Sequence, residues 1–157
     1  MTAECRLADA TFDPAEELAN FSAQAAGCGA ISSFSGIARP VGKQGSDVSA
    51  MFLESHPRLT AASMNGIAAD ARQKFGIAHL IIIHRHGTIM PGEAIVFVAA
   101  ASSHRRAALE SVDYMMDRLK TEAVFWKRED TAEGSQWIEP TGDDYAANSR
   151  WDKTETQ

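Results

Sequence analysis

A chain of 157 residues, 45% hydrophobic and 23% charged, is long enough to bury a substantial core and reads as one ordinary globular domain. Its formal net charge of −6 argues against nonspecific nucleic-acid binding, and its densest apolar runs, 80–83 and 94–101, are strand-sized rather than membrane-spanning. Glu4 and Asp9 break any basic-then-apolar export pattern, and Cys5 and Cys28 make neither a disulfide framework nor a CxxC pair, so a reducing cytoplasm is expected.

Residues 4–8 are expected to form a short first strand. Asp13-Pro14 followed by AEELANFSAQ predicts a helix, with Asp as N-cap, Pro in the first turn and acids near the positive end of the dipole. Gly27–Gly29 should end it. Residues 30–38 predict a strand, and Arg39 opens a mobile-looking loop over 40–47. A strand over 48–54 precedes a helix over 58–75, whose stripe is Ala61, Met64, Ile67 or Ala68, Ala71 and Phe75, closed by Gly76.

Residues 77–86 and 93–101 predict two strong strands joined by a turn over 87–92, forming an antiparallel hairpin at the sheet centre. Ser102 or Ser103 should cap the next helix, which runs to Lys120 with Ala108, Val112, Met115 and Leu119 inward. A short strand over 124–128, a turn, a strand over 136–139 and a weak helix over 143–150 complete the series. The mixed order of helices and strands favours an α+β class with a mostly antiparallel sheet and packed helices. The expected organisation is one domain over 1–150 and a disordered tail over 151–157.

Chemistry concentrates in 102–129. That stretch holds six Lys/Arg against five Asp/Glu, while the rest of the chain holds nine against sixteen. His104, Arg105 and Arg106 occupy the first turn of a predicted helix, where positive side chains oppose the macrodipole. An anion docked there would reverse the sign of that interaction; the plain alternative is that the side chains point into water. Lys120 at the helix end could be only a surface cap, and Lys127, between Trp126 and Arg128, only a solvated strand residue. A lysine near other cations or partly buried can instead serve as acid, base or nucleophile. His84 and His86 share a strand face but have no third ligand at a metal-binding spacing. The loop after Arg39 lacks the Gly-Lys-Ser/Thr of a nucleotide loop, and no cysteine has an activating neighbour.

The strand FSGIAR with Arg39, then LESHP, IIIHRHGTIMPGEAIVFVAAASSHR, MDRLKTEAVFWKRE and W-I-E, together resemble the large, catalytic subunit family of molybdopterin synthase, in order over roughly residues 5–140. The resemblance implies an α/β hammerhead fold and a sulfurtransferase of molybdenum cofactor biosynthesis. Sulfur would come from the C-terminal Gly-Gly thiocarboxylate of a small ubiquitin-like carrier and would be added to cyclic pyranopterin monophosphate, forming the dithiolene. It implies a homodimer at the core of a heterotetramer and no cofactor, metal, nucleic-acid or membrane partner. Lys120 and Lys127 match the family's catalytic lysines, Arg39, His104 and Arg105 its substrate-anion pocket near the dimer interface, and Met116 a pocket-lining methionine; Arg106 lies outside the shared motif. Ala38, His56 and Val124 depart from the residues usual there. The alternatives are a non-catalytic module that grips a Gly-Gly tail and an unrelated phosphate-binding α+β domain, the latter weakened by the missing nucleophile and nucleotide loop.

Overall fold

The computed structural model describes residues 2–42 and 45–152. In chain order the elements are β1 (Thr2–Ala8), α1 (Pro14–Gln24), β2 (Ala30–Ile37), β3 (Val48–Ser55), α2 (Pro57–Phe75) and β4 (His79–Arg85). There follow β5 (Gly87–Ile89), β6 (Ala94–Ser102), α3 (Arg105–Thr121), β7 (Phe125–Thr131), β8 (Gly134–Ile138) and α4 (Gly142–Ser149). They make two four-stranded sheets, ordered β1-β4-β6-β2 and β5-β3-β7-β8. Every pairing is antiparallel except β1 with β4. The α+β expectation is therefore met, with the strands divided between two sheets.

The unbroken apolar run of β4 has a direct cause: both faces of the first sheet are covered. Leu80 and Ile82 face α2 and α3, where they join Met64, Ala71, Val112, Met115 and Leu119. Ile81 and Ile83 face the other way, against Phe21 and Ala25 at α1. β6 alternates to match, with Val96, Val98 and Ala100 on one side and Phe97, Ala99 and Ala101 on the other. Burying each such Val, Leu or Ile side chain contributes roughly 1.5–3 kcal/mol. The predicted stripe of α3 is buried at all four positions, Ala108, Val112, Met115 and Leu119.

β4 and β6 are central antiparallel neighbours, as expected, but no simple hairpin turn joins them. The chain leaves the first sheet at His86, pairs β5 with β3 of the second sheet through Met51–Ile89 and Phe52–Thr88, and returns through a turn ending at Glu93. Gly87 and Gly92, at φ of 77° and 89°, make the two bends. Buried Arg85 fastens this excursion: one guanidinium nitrogen lies 3.3 Å from Glu93 Oε2, and the other donates to the Thr88 carbonyl at 3.0 Å. The same Glu93 oxygen accepts the Met90 N–H at 3.0 Å.

Asp13 caps α1 as predicted, accepting the Ala15 N–H, and Gly76 closes α2 in the left-handed region. The cap of α3 is His104 rather than Ser102 or Ser103, and its side chain makes no cap hydrogen bond. Ser102 is the last residue of β6 and buried, so the strand claims it before the helix can. Gly29, expected only to end α1, has a second task. A Cβ there would stand 2.4 Å from the Ser103 carbonyl oxygen, so only glycine lets the start of β2 lie this close to the start of α3.

Ordered chain continues past residue 150. The Trp151 ring packs edge-on against Phe75 and Tyr114, and Asp152 pairs with Arg118. The rest of the expected tail, 153–157, and residues 43 and 44 of the expected loop lie outside the described residues. No described helix is long and apolar enough to cross a membrane.

Candidate active site

The expected site residues fall in three places within one chain. Arg39 and Lys127, far apart in sequence, line one small pocket of about 50 Å³ together with Ile37, Ala38, Met51 and Glu129. The second sheet explains the meeting. β7 lies between β3 and β8, so Lys127 is held opposite Leu53 on one side and Ile138 on the other. Arg39 follows β2, whose end is tied to the β5–β6 turn because the Ala38 N–H donates to the Glu93 carbonyl. Lys127 is half-buried, its Nζ 2.9 Å from Glu129 Oε1 two residues on, on the same strand face. The pocket as it stands holds little more than water and is well below the 300 Å³ or more typical of organic ligands.

His104 and Arg105 line a second, open cavity of about 650 Å³ with Gly29, Ser103, Arg106, Leu109 and Glu110. Both are exposed. Because the His104 side chain makes no cap bond, it does not occupy the N–H groups of the first turn, which point at whatever anion docks there. Arg106 lines the same cavity but is already paired. It pairs along the helix with Glu110 at 3.4 Å.

Lys120 lines neither cavity. It lies at the opposite end of α3, 60% exposed, with its Nζ 3.1 Å from Asp144 Oδ1 of α4. Met116, one turn earlier on the same helical face, is partly buried against the core around Met115. Fifteen residues of helix separate Arg105 from Lys120, an axial distance of about 22 Å. That exceeds the span of a small phosphate ester. The convergence of all five cationic groups on one cavity therefore does not occur within one chain.

Cys5 is not poised as a nucleophile. Burial, with the Glu4 charge adding to it, pushes the Cys5 thiol up to about 11, and its sulfur contacts the Met64 carbonyl. His84 and His86 are committed elsewhere. His84 Nδ1–H donates to the Arg85 carbonyl at 2.8 Å, and its ring stacks on Phe125 at 4.1 Å. His86 Nδ1 lies 3.2 Å from Ser55 Oγ, and its Nε2 meets Asp9. No cluster of three metal-ligating side chains occurs among the described residues.

Burial holds His84 down at about 4 from an ordinary 6.5, with the His86 charge in the same direction and the Arg85 carbonyl opposing. Between those two pH values the unfolded chain binds the extra proton. The stability due to a neutral His84 is thus complete above pH 6.5 and is lost as pH falls toward 4. Thermal melts should show Tm falling across that window, and His84→Gln should flatten the fall.

Three features escaped the sequence reading. Asp144 as partner of Lys120 had no motif to announce it. Glu129 as partner of Lys127 was visible only as the acid of W-K-x-E. A third cavity, about 550 Å³, runs along β8 between Glu129, Gln136, Ile138 and Thr141, and it depends on the β7–β8 pairing.

The model of a known family, described as MoaE protein, matches residues 7–122. The chain belongs to the MoaE family. The molybdopterin synthase catalytic subunit of Pseudomonas aeruginosa is 46% identical over 148 residues, covering 94% of this chain and 98% of that protein. The subunit of the same name from Caulobacter vibrioides is 45% identical over 147 residues, covering 94% and 96%. Among solved structures, a molybdopterin biosynthesis MoaE protein from Burkholderia ambifaria superposes with a TM-score of 0.81 at 37% identity, covering 98% of this chain and all of that one. The family expected from the sequence motifs is thus the family found, and the first sheet with its covering helices is a MoaE scaffold.

Proposed function

We propose that this chain is the catalytic subunit of a molybdopterin synthase. It moves two sulfurs from the C-terminal thiocarboxylate of a small ubiquitin-like carrier onto cyclic pyranopterin monophosphate, in the cytoplasm, where its two free cysteines suit a reducing compartment. The observation that carries the reading is the pairing of Arg39 with Lys127 in one pocket on a MoaE scaffold. A guanidinium and a half-buried amine side by side suit an anionic substrate whose charge rises as sulfur adds.

The roles follow from placement. Arg39, His104 and Arg105 bind the phosphate ester. Lys127 holds the pterin and stabilises the developing negative charge. Lys120, exposed to an incoming peptide, contacts the terminal carbonyl of the carrier tail and passes protons; Met116 lines its approach. The attacking sulfur belongs to the carrier, so no nucleophilic cysteine is required here. Because α3 keeps His104 and Arg105 about 22 Å from Lys120 of the same chain, the complete site takes the helix start from a second copy. A homodimer flanked by two carriers supplies that geometry.

The test is reconstitution. Purified chain, thiocarboxylated carrier and the cyclic pterin should yield the dithiolene product. A stable complex with the carrier and no product would show instead a module that only grips the Gly-Gly tail.

A further inference from the structure

The ammonium of Lys120 has one partner among the described residues, and that partner is unusually well fixed. Asp144 is 18% exposed and accepts from Lys120 Nζ through Oδ1 at 3.1 Å. Its other oxygen accepts the Thr141 N–H and the Thr141 hydroxyl, each at 2.8 Å. Burial pushes the Asp144 carboxyl up, but the hydrogen bonds from Thr141 and Lys120 prevail and hold it at about 2. It is a carboxylate at any working pH.

α4, which carries Asp144, buries none of its own residues. Polar ties around it and the residues after it, together with the Trp151 ring packed on Phe75 and Tyr114, hold it to α3 instead. Arg150 reaches Asp113 at 2.6 Å and Asp117 at 2.8 Å. Trp151 Nε1–H donates to Asp117 at 2.7 Å, Arg118 donates to Asp152 at 2.7 Å, and the Asn148 amide donates to Glu122 at 2.9 Å. Such docking builds little core, but it sets one carboxylate at one place on α3.

We infer that Asp144 is a positioning residue for Lys120, delivered by the C-terminal helix, and that α4 is a working part of the active site. The inference rests on the catalytic reading of Lys120 given above. A lysine with four rotatable bonds and a largely exposed head samples many positions, and a misplacement of about 1 Å can cost on the order of a hundredfold in rate. The fixed carboxylate narrows those positions to the ones from which the amine meets the carrier tail.

The experiment uses the full chain with thiocarboxylated carrier and cyclic pterin, comparing Asp144→Asn, Asp144→Glu, Thr141→Ala and Lys120→Ala. Asp144→Asn should lower kcat about tenfold or more while leaving KM for the pterin nearly unchanged. Asp144→Glu should recover most of the loss. Thr141→Ala removes one of the two Thr141 bonds that fix the carboxylate but leaves the backbone N–H bond and the charge, so it should lower Tm and cost kcat clearly less than Asp144→Asn. Equal falls in kcat for Asp144→Asn and Thr141→Ala would reduce Asp144 to a structural cap and overturn the inference. So would an unchanged kcat in Asp144→Asn, and so would a raised one, which would make α4 a plug over the lysine. Should Asp144→Asn fail to fold, Asp144→Glu decides: it must retain activity, and a folded Asp144→Glu without activity sinks the idea. Lys120→Ala separates the two levels. If it is inactive while Asp144→Asn is normal, only the positioning role falls; if it is active, the catalytic reading of Lys120 falls as well.

Discussion

Lys127→Ala should cut dithiolene formation by about 10²–10⁴-fold, the range typical of a positioned acid–base group, and leave the protein folded. Lys127 is held by strand pairing on both sides, opposite Leu53 and Ile138, so the backbone around it does not depend on its side chain. Its amine faces Glu129 at 2.9 Å beside Arg39, where charge rather than packing is its contribution. Lys127→Arg should not rescue the rate: a planar guanidinium cannot take up the ammonium's position in a pocket of about 50 Å³. Lys120→Ala should lose a comparable factor for a different reason, since in the proposed mechanism its amine serves the carrier tail. Being an exposed residue, its removal should change stability by less than about 0.5 kcal/mol. The measurement is single-turnover product formation with Tm recorded in parallel. Near-normal sulfur transfer by either alanine variant would remove that lysine from the mechanism.

The parts of this fold that local pattern controls were legible in the chain. The Ala108, Val112, Met115, Leu119 stripe, the Asp13-Pro14 start and the Gly76 stop each depend on neighbours within a turn or two, and each appears where the pattern puts it. What local pattern misplaced depends on distant partners. β5 is three residues inside an apparent turn, and it is a strand only because β3 offers an edge to it. The partition of eight strands into two sheets, and the parallel pairing of β1 with β4, likewise have no local signature. The helix cap moved from serine to His104 because the β2–β6 ladder runs through Ser102.

The site divides in the same way. Its residue types were visible as motifs, whereas their grouping was not. Arg39 meets Lys127 only through the second sheet, and His104 and Arg105 are kept from Lys120 by the length of the very helix that the sequence displays most clearly. Helix length, read at about 1.5 Å per residue, would have shown from sequence alone that one chain could not assemble the whole constellation.

Glu93→Gln should cost the fold about 3–5 kcal/mol, the scale for leaving a buried charge without its counter-ion. Arg85 is 4% exposed, and its guanidinium has only Glu93 Oε2 at 3.3 Å and the Thr88 carbonyl at 3.0 Å; its Nε has no acceptor among the described residues. The carboxylate is therefore the one negative charge within ion-pair distance of that guanidinium among the described residues. The effect should reach the active site, because the Glu93 carbonyl accepts the Ala38 N–H at 2.9 Å and Ala38 carries the chain into Arg39. Loosening the β5 excursion thus loosens the pocket wall. This places the HR-x-G and PGE motifs, Arg85 and Glu93, in the support of the site rather than in its chemistry. At about 2–4 °C per kcal/mol for a chain of this size, Tm should drop by roughly 10 °C. The double variant Arg85→Met, Glu93→Gln should regain a good part of that loss, since it removes the stranded charge along with its partner. A Glu93→Gln protein that melts within about 2 °C of the parent would mean that Thr88 and solvent suffice for Arg85, and that the pair is not what pins β5 between the sheets.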